Sequence, residues 1–144
     1  MKKVTLFFYV LLSCSLAVGQ QDVGVVGANN WLQGWTSFKP LTNDYAQTTK
    51  ILPNVISSDF NLSSYETYLM VGEVYVTNNA TLTIEAGTVI RASADEYSAL
   101  IITKGAKINA QGLPNNPIIF TSSKSERERK PGDWGGIYIL GNAP

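Results

Sequence analysis

A five-position pattern repeats in register along this chain and limits what it can fold into. Leu82-x-Ile84-x-x-Gly87-x-x-Ile90-x-Ala92 recurs as Leu100-x-Ile102-x-x-Gly105-x-x-Ile108-x-Ala110, at an offset of 18 residues. A partial third copy, Ile118-x-Phe120 followed by Thr121, lies the same distance further on. In a strand, residues i and i+2 share a face. Leu82 with Ile84, Leu100 with Ile102, and Ile118 with Phe120 can therefore point into one interior. Gly87 and Gly105 supply the positive φ that a turn between strands demands. One such unit cannot bury its own apolar face, whereas stacked copies share a continuous core, which is the logic of a solenoid. The expectation is that Leu82 lies beside Leu100, and Leu100 beside Ile118, on parallel neighbouring strands. An antiparallel sandwich also has short strands with closely spaced turns, but it does not need an in-register repeat.

The rest of the chain agrees with an all-β reading. From residue 67 short β-prone runs alternate with Gly, Asn and Pro, and no window carries a capped helical periodicity. Residues 20–66 differ. They are rich in Asn, Thr, Ser and Gln, with Trp31, Trp35, Phe38, Tyr45 and Phe60 scattered among them. This stretch is expected to be an irregular segment or cap with short strands that packs its aromatics against another part of the protein.

The first nineteen residues have the layout of an export signal. Lys2 and Lys3 precede the apolar run from Val4 to Leu12, and Ala17-Val18-Gly19 places small residues at a cleavage site. Cleavage is expected between Gly19 and Gln20. The run is too short to span a bilayer, which needs about 20 apolar residues, so no transmembrane helix is expected. Leu11-Leu12-Ser13-Cys14 partly resembles a lipoprotein box, but the residues after Cys14 stay apolar, which favours a cysteine discarded with the signal over a lipid anchor. The expected location is therefore secreted or cell-surface. Residues 20–144 carry 9 basic against 11 acidic residues and no cysteine, so no disulfide supports the fold.

Composition excludes several kinds of chemistry. The sequence has no histidine and only one cysteine, which rules out Ser-His-Asp and Cys-His catalysis, His-ligated metal and thiolate zinc sites. Lys and Arg total 11 and so do Asp and Glu, so there is no excess positive charge for nucleic acid. Asp95 and Glu96 lie together after Arg91, between two copies of the repeat. Adjacent acids do not face each other across a cleft at the separation an inverting carboxylate pair needs, and a solvated turn is the better reading. The mixed-sign run Glu126-Arg127-Glu128-Arg129-Lys130 reads as a solvated loop, Gly132-Asp133-Trp134-Gly135-Gly136 as a turn with Trp134 covering a coil, and Trp31 and Trp35 as packing anchors rather than sugar platforms. Asn61-Leu62-Ser63 and Asn79-Ala80-Thr81 match a glycosylation sequon but read more simply as turn residues. No catalytic residue, metal ligand or cofactor site is expected.

The runs Val71–Ile90, Ala99–Gly112, Asn116–Thr121 and Gly132–Ile137 together resemble the N-terminal coils of secreted, right-handed parallel β-helix proteins of pectate-lyase-like fold from Gram-negative surfaces. The resemblance implies the architecture and leaves the activity open. It implies a non-enzymatic surface protein, a β-helical stalk or an adhesion or binding module, whose partners are extracellular glycans or cell-surface components. The alternative is the N-terminal part of a polysaccharide-degrading enzyme with active coils beyond residue 144. Nothing that resembles a polar cap follows Ile139-Leu140, so the coils are expected to be the truncated N-terminal portion of a longer solenoid, with an open end that associates in isolation.

Overall fold

The computed structural model describes residues 32, 35–37 and 39–141. The expected signal segment 1–19, the cleavage site at Gly19 and Gln20, Cys14, Trp31 and Phe38 lie outside the described residues. Among the described residues eleven short strands follow in order: β1 (Lys50–Ile51), β2 (Val55–Ile56), β3 (Phe60–Leu62), β4 (Thr67–Met70), β5 (Glu73–Val76), β6 (Thr81–Ile84), β7 (Val89–Ala92), β8 (Ala99–Ile102), β9 (Lys107–Ala110), β10 (Ile119–Ser122) and β11 (Gly136–Ile139). They form three sheets, β1-β4-β7-β10, β2-β5-β8-β11 and β3-β6-β9. Every strand-to-strand ladder is parallel. Each sheet takes every third strand, so the chain winds once through three faces and climbs one rung per turn. This is a parallel β-helix. Rungs one to three are complete, and the fourth consists of β10 and β11.

Strand alternation builds the interior. Met70, Val74, Val76, Leu82, Ile84, Ile90, Leu100 and Ile102 are buried in one core cluster, with Leu62 and Ile56 below. Ile108, Ile118 and Phe120 are half-buried and pack against that cluster. Residues between these positions point outward, as period-two alternation requires.

The register corrects the expected neighbours. Leu82 lies between Phe60 and Ile108, and Leu100 between Val74 and Ile137. Phe120 pairs with Ile90. The copies of the repeat therefore sit on different sheets. The first runs from the third sheet round a corner to the first sheet, and the second from the second sheet to the third. The pattern encodes a strand, a corner and the next strand, which is only part of one turn. The rung period starts at 18 residues, between Lys50 and Tyr68, and grows along the chain. Thr67 faces Val89, Glu73 faces Ala99 and Val89 faces Ile119, separations of 22, 26 and 30 residues. The step from 22 to 26 arises in the corner between the first and second sheets, which lengthens from 71–72 to 93–98, and the step from 26 to 30 in the corner between the third and first sheets, which lengthens from 85–88 to 111–118.

The solenoid also begins earlier than expected. β1, β2 and β3 pair with β4, β5 and β6, so the first rung lies inside the stretch read as irregular. These strands are two or three residues long, too short to show alternation.

The short corners explain the conserved spacing of the repeat. Gly87 and Gly105 have φ of +87° and +88°. Their corners close with Thr88 N–H donating to Glu85 O at 3.2 Å and Ala106 N–H to Thr103 O at 3.0 Å. The corner below Gly105 closes with the same bond, Ala80 N–H donating to Thr77 O at 2.9 Å, but both of its central residues are left-handed, Asn78 at φ +54° and Asn79 at φ +59° where glycine would stand. Asparagine tolerates that region better than most residues with a side chain. Val74-x-Val76-x-x-Asn79-x-x-Leu82-x-Ile84 is thus a further copy of the unit, hidden by a Gly-to-Asn exchange. Threonines tie the stacked corners together: the Thr103 N–H and Oγ1 both donate to Val76 O, at 3.0 and 2.7 Å.

Candidate functional site

The outer face of the first sheet carries a cluster of two buried arginines. In β7, Ile90 and Ala92 point inward, so Arg91 points out. It is nonetheless 92% buried, because the chain segment before β1 lies across it. One end of its guanidinium, Nη1, donates to Tyr45 O at 3.4 Å and Ala46 O at 3.2 Å. The other, Nη2, donates to Ser123 O at 2.7 Å and Lys124 O at 3.1 Å. Arg129, equally buried, donates to Asn43 O and Thr121 Oγ1, and its guanidinium carbon lies 4.8 Å from the centre of the Tyr45 ring. Neither arginine has a carboxylate partner among the described residues.

The expected chemical candidates are dispersed. Asp95 and Glu96 are exposed on the 93–98 corner. Buried Ser98 supports that corner by accepting the Gly72 N–H at 3.1 Å. No group of three potential metal ligands occurs among the described residues. In the charge run, Glu126, Arg127, Glu128 and Lys130 are exposed, but Arg129 turns inward. That inward turn departs from a uniformly solvated loop, and its cause is the cation–π and carbonyl site that Tyr45 and Asn43 provide.

The 123–135 corner is held by Asp133. Its carboxylate accepts from Lys124 Nζ at 2.6 Å and from the Lys130 N–H at 2.8 Å. The Lys124 ammonium first, then the main-chain donor, hold its pKa down to about 2. An aspartate in an unfolded chain titrates near 3.9. A depressed folded-state value means that the contact stabilises the corner fully above about pH 4 and is lost as pH falls through about 2. The expected result is that amide exchange of residues 123–135, corrected for intrinsic rates, accelerates between pH 5 and pH 2.5. In Asp133→Asn the corner is already loose at pH 5 and changes less on acidification. An unchanged acid response in that variant would refute the assignment.

Trp134 stacks on Phe120, ring centroids 6.3 Å apart and 16° from parallel, and so covers the fourth rung. Trp35 is 47% exposed and lies against Gly112. With Asn43, Tyr45, Phe120 and Thr121 it lines a shallow groove of about 450 Å³ whose described lining carries no carboxylate. Asn61 donates to Glu85 Oε1 at 3.2 Å, and Asn79 packs beneath Gly105. Both sequon asparagines thus have places in the stacking of the rungs.

On the second sheet, Val55, Tyr75, Ile101 and Tyr138 form one outward column in register. The Tyr97 and Tyr138 hydroxyls lie 3.0 Å apart, and the Tyr97 ring lies over Gly135.

A model of the pectate-lyase like beta helix domain matches residues 54–144. The chain belongs to this family. The match starts within the first rung, as the strand pairing does. No curated protein and no solved structure matches the chain. No described helix of this pectate-lyase-like β-helix is long and apolar enough to cross a membrane.

The Tyr45–Arg91–Arg129 cluster was not anticipated from sequence. Its one signal was a charged residue inside the apolar run Val89-Ile90-Arg91-Ala92. Nothing local indicated that residues 43–46 would return to cover it.

Proposed function

We propose that this β-helix is exported and works at the cell surface or outside the cell as a structural or binding module, without chemistry on the rungs described. The observation that supports this reading best is the state of Arg91. Arg91, the basic residue that precedes the Asp95-Glu96 pair, directs its guanidinium to four main-chain carbonyls, and an arginine so engaged is a structural cation, unsuited to abstract or donate a proton. Asp95 and Glu96 are exposed, and neither pairs with Arg91. The long outward column of aromatic and aliphatic side chains on the second sheet suits contact with extracellular glycans or cell-surface components better than catalysis.

Two measurements test the reading. Purified protein incubated with polygalacturonate, with and without calcium, should release no unsaturated or reducing product above a matched blank. Turnover that disappears in Asp95→Asn/Glu96→Gln would overturn the non-enzymatic assignment. Expressed from its own start, the protein should be recovered outside the cytoplasm with Gln20 as its first residue. A diacylated Cys14 terminus would replace secretion by lipid anchoring, and retention of Met1 in the cytoplasm would refute export.

A further inference from the structure

We infer that residues 41–49 are a latch that closes over the first sheet, and that the latch and the 123–130 part of the long corner order as one unit. The path of the segment carries the argument. At its start, Leu41 O accepts the Arg127 N–H at 2.7 Å, at the level of the fourth rung. Asn43 O accepts from Arg129, in the same corner. Tyr45 O and Ala46 O accept from Arg91, on the third rung. The Thr49 N–H donates to Thr67 O at 2.8 Å, on the second rung. Lys50 then opens β1 on the first rung. The segment thus descends the outer face of one sheet across all four rungs before it enters the coil.

A solenoid ordinarily connects each rung only to its neighbours. Here the chain ahead of the first rung bonds directly to the fourth. Arg91 makes the connection two-sided. Its planar fork holds the latch with Nη1 and the corner with Nη2, so displacement of either carbonyl pair strips donors from the same buried cation. Arg129 belongs to the corner and is held by the latch, through Asn43 O and the Tyr45 ring.

The arginines have little in reserve. The Nε of each is buried without a hydrogen-bond partner. A guanidinium already short of one acceptor cannot stay buried after losing two more. Release of the latch therefore forces Arg91 and Arg129 toward water and takes the corner with them. It also opens the groove that Asn43 and Tyr45 share with Ile119 and Thr121 of the first sheet.

Hydrogen exchange of the full chain, read by mass spectrometry on peptides covering 41–49, 123–130 and β5–β6, tests the coupling. Tyr45→Ala changes a latch residue and takes its ring away from Arg129, and exchange in 123–130 should rise by about tenfold, as loss of a buried cation's partner implies. Arg91→Lys keeps the charge but not the fork, and should raise exchange in both segments by about tenfold. Peptides from β5–β6 should keep their protection in both variants. The inference is overturned if Tyr45→Ala loosens 41–49 and leaves 123–130 unchanged, if neither segment responds in either variant, or if protection is lost throughout the coils, which would make the latch part of the global fold instead of a separable unit. Should Arg91→Lys fail to fold, the Tyr45→Ala comparison alone decides.

Discussion

Leu100→Ala is expected to lower the free energy of unfolding by about 3 kcal/mol, with the loss read from the urea midpoint at an unchanged denaturant slope. Leu100 is 1% exposed and lies in the interior column of the second sheet, between Val74 and Ile137. Truncation there removes apolar burial and leaves a void bounded by rungs above and below, which cannot both collapse into it. Ile101, its neighbour in β8, faces outward between Tyr75 and Tyr138 and is only half-buried. Ile101→Ala should cost about 1 kcal/mol or less. The contrast between adjacent residues measures the alternation on which the winding depends. Equal losses at 100 and 101 would mean that the strand does not present one face to a closed interior.

What was legible in the sequence follows from range. Alternation and corner residues are local, so the strands from residue 67 onward and the turns at Gly87 and Gly105 could be read directly. The parallel β-helix followed from the need of repeated units to share a core. The register did not follow, because the pairing partner of Leu82 is set by how many residues each corner inserts. The 93–98 and 123–135 corners lengthen the turns unequally, and the offset of 18 measures a corner-to-corner spacing while Leu82 actually meets Ile108. The first rung was hidden for a different reason. Lys50-Ile51 and Val55-Ile56 are too short for a period-two signal, and they are strands because β4 and β5 supply partners. The Arg91 cluster is the most remote of all. It joins residue 45 to residues 91, 123 and 129, and its acceptors are main-chain carbonyls, which carry no residue-type signature.

The corners offer the second large effect, and one that separates two physical causes. Gly105→Ala is expected to destabilise the protein by about 2–3 kcal/mol. Part of this is conformational. At φ +88° an alanine Cβ meets its own backbone, a cost of about 1–2 kcal/mol. The rest is a collision with the rung below, because a Cβ on Gly105 would run into Asn79 Oδ1. The two parts respond differently to a second change. Asn79 itself has φ +59°, so Asn79→Gly fits its backbone without strain and removes the obstructing amide. In the Gly105→Ala background, Asn79→Gly should therefore recover about 1 kcal/mol, while Asn79→Gly alone stays within about 0.5 kcal/mol of the parent. The remaining deficit in the double variant is the strain of the left-handed residue, which no change in the rung below can relieve. If the double variant recovers nothing, the corners do not stack in the register described. If Gly105→Ala alone is neutral, the turn does not require its glycine.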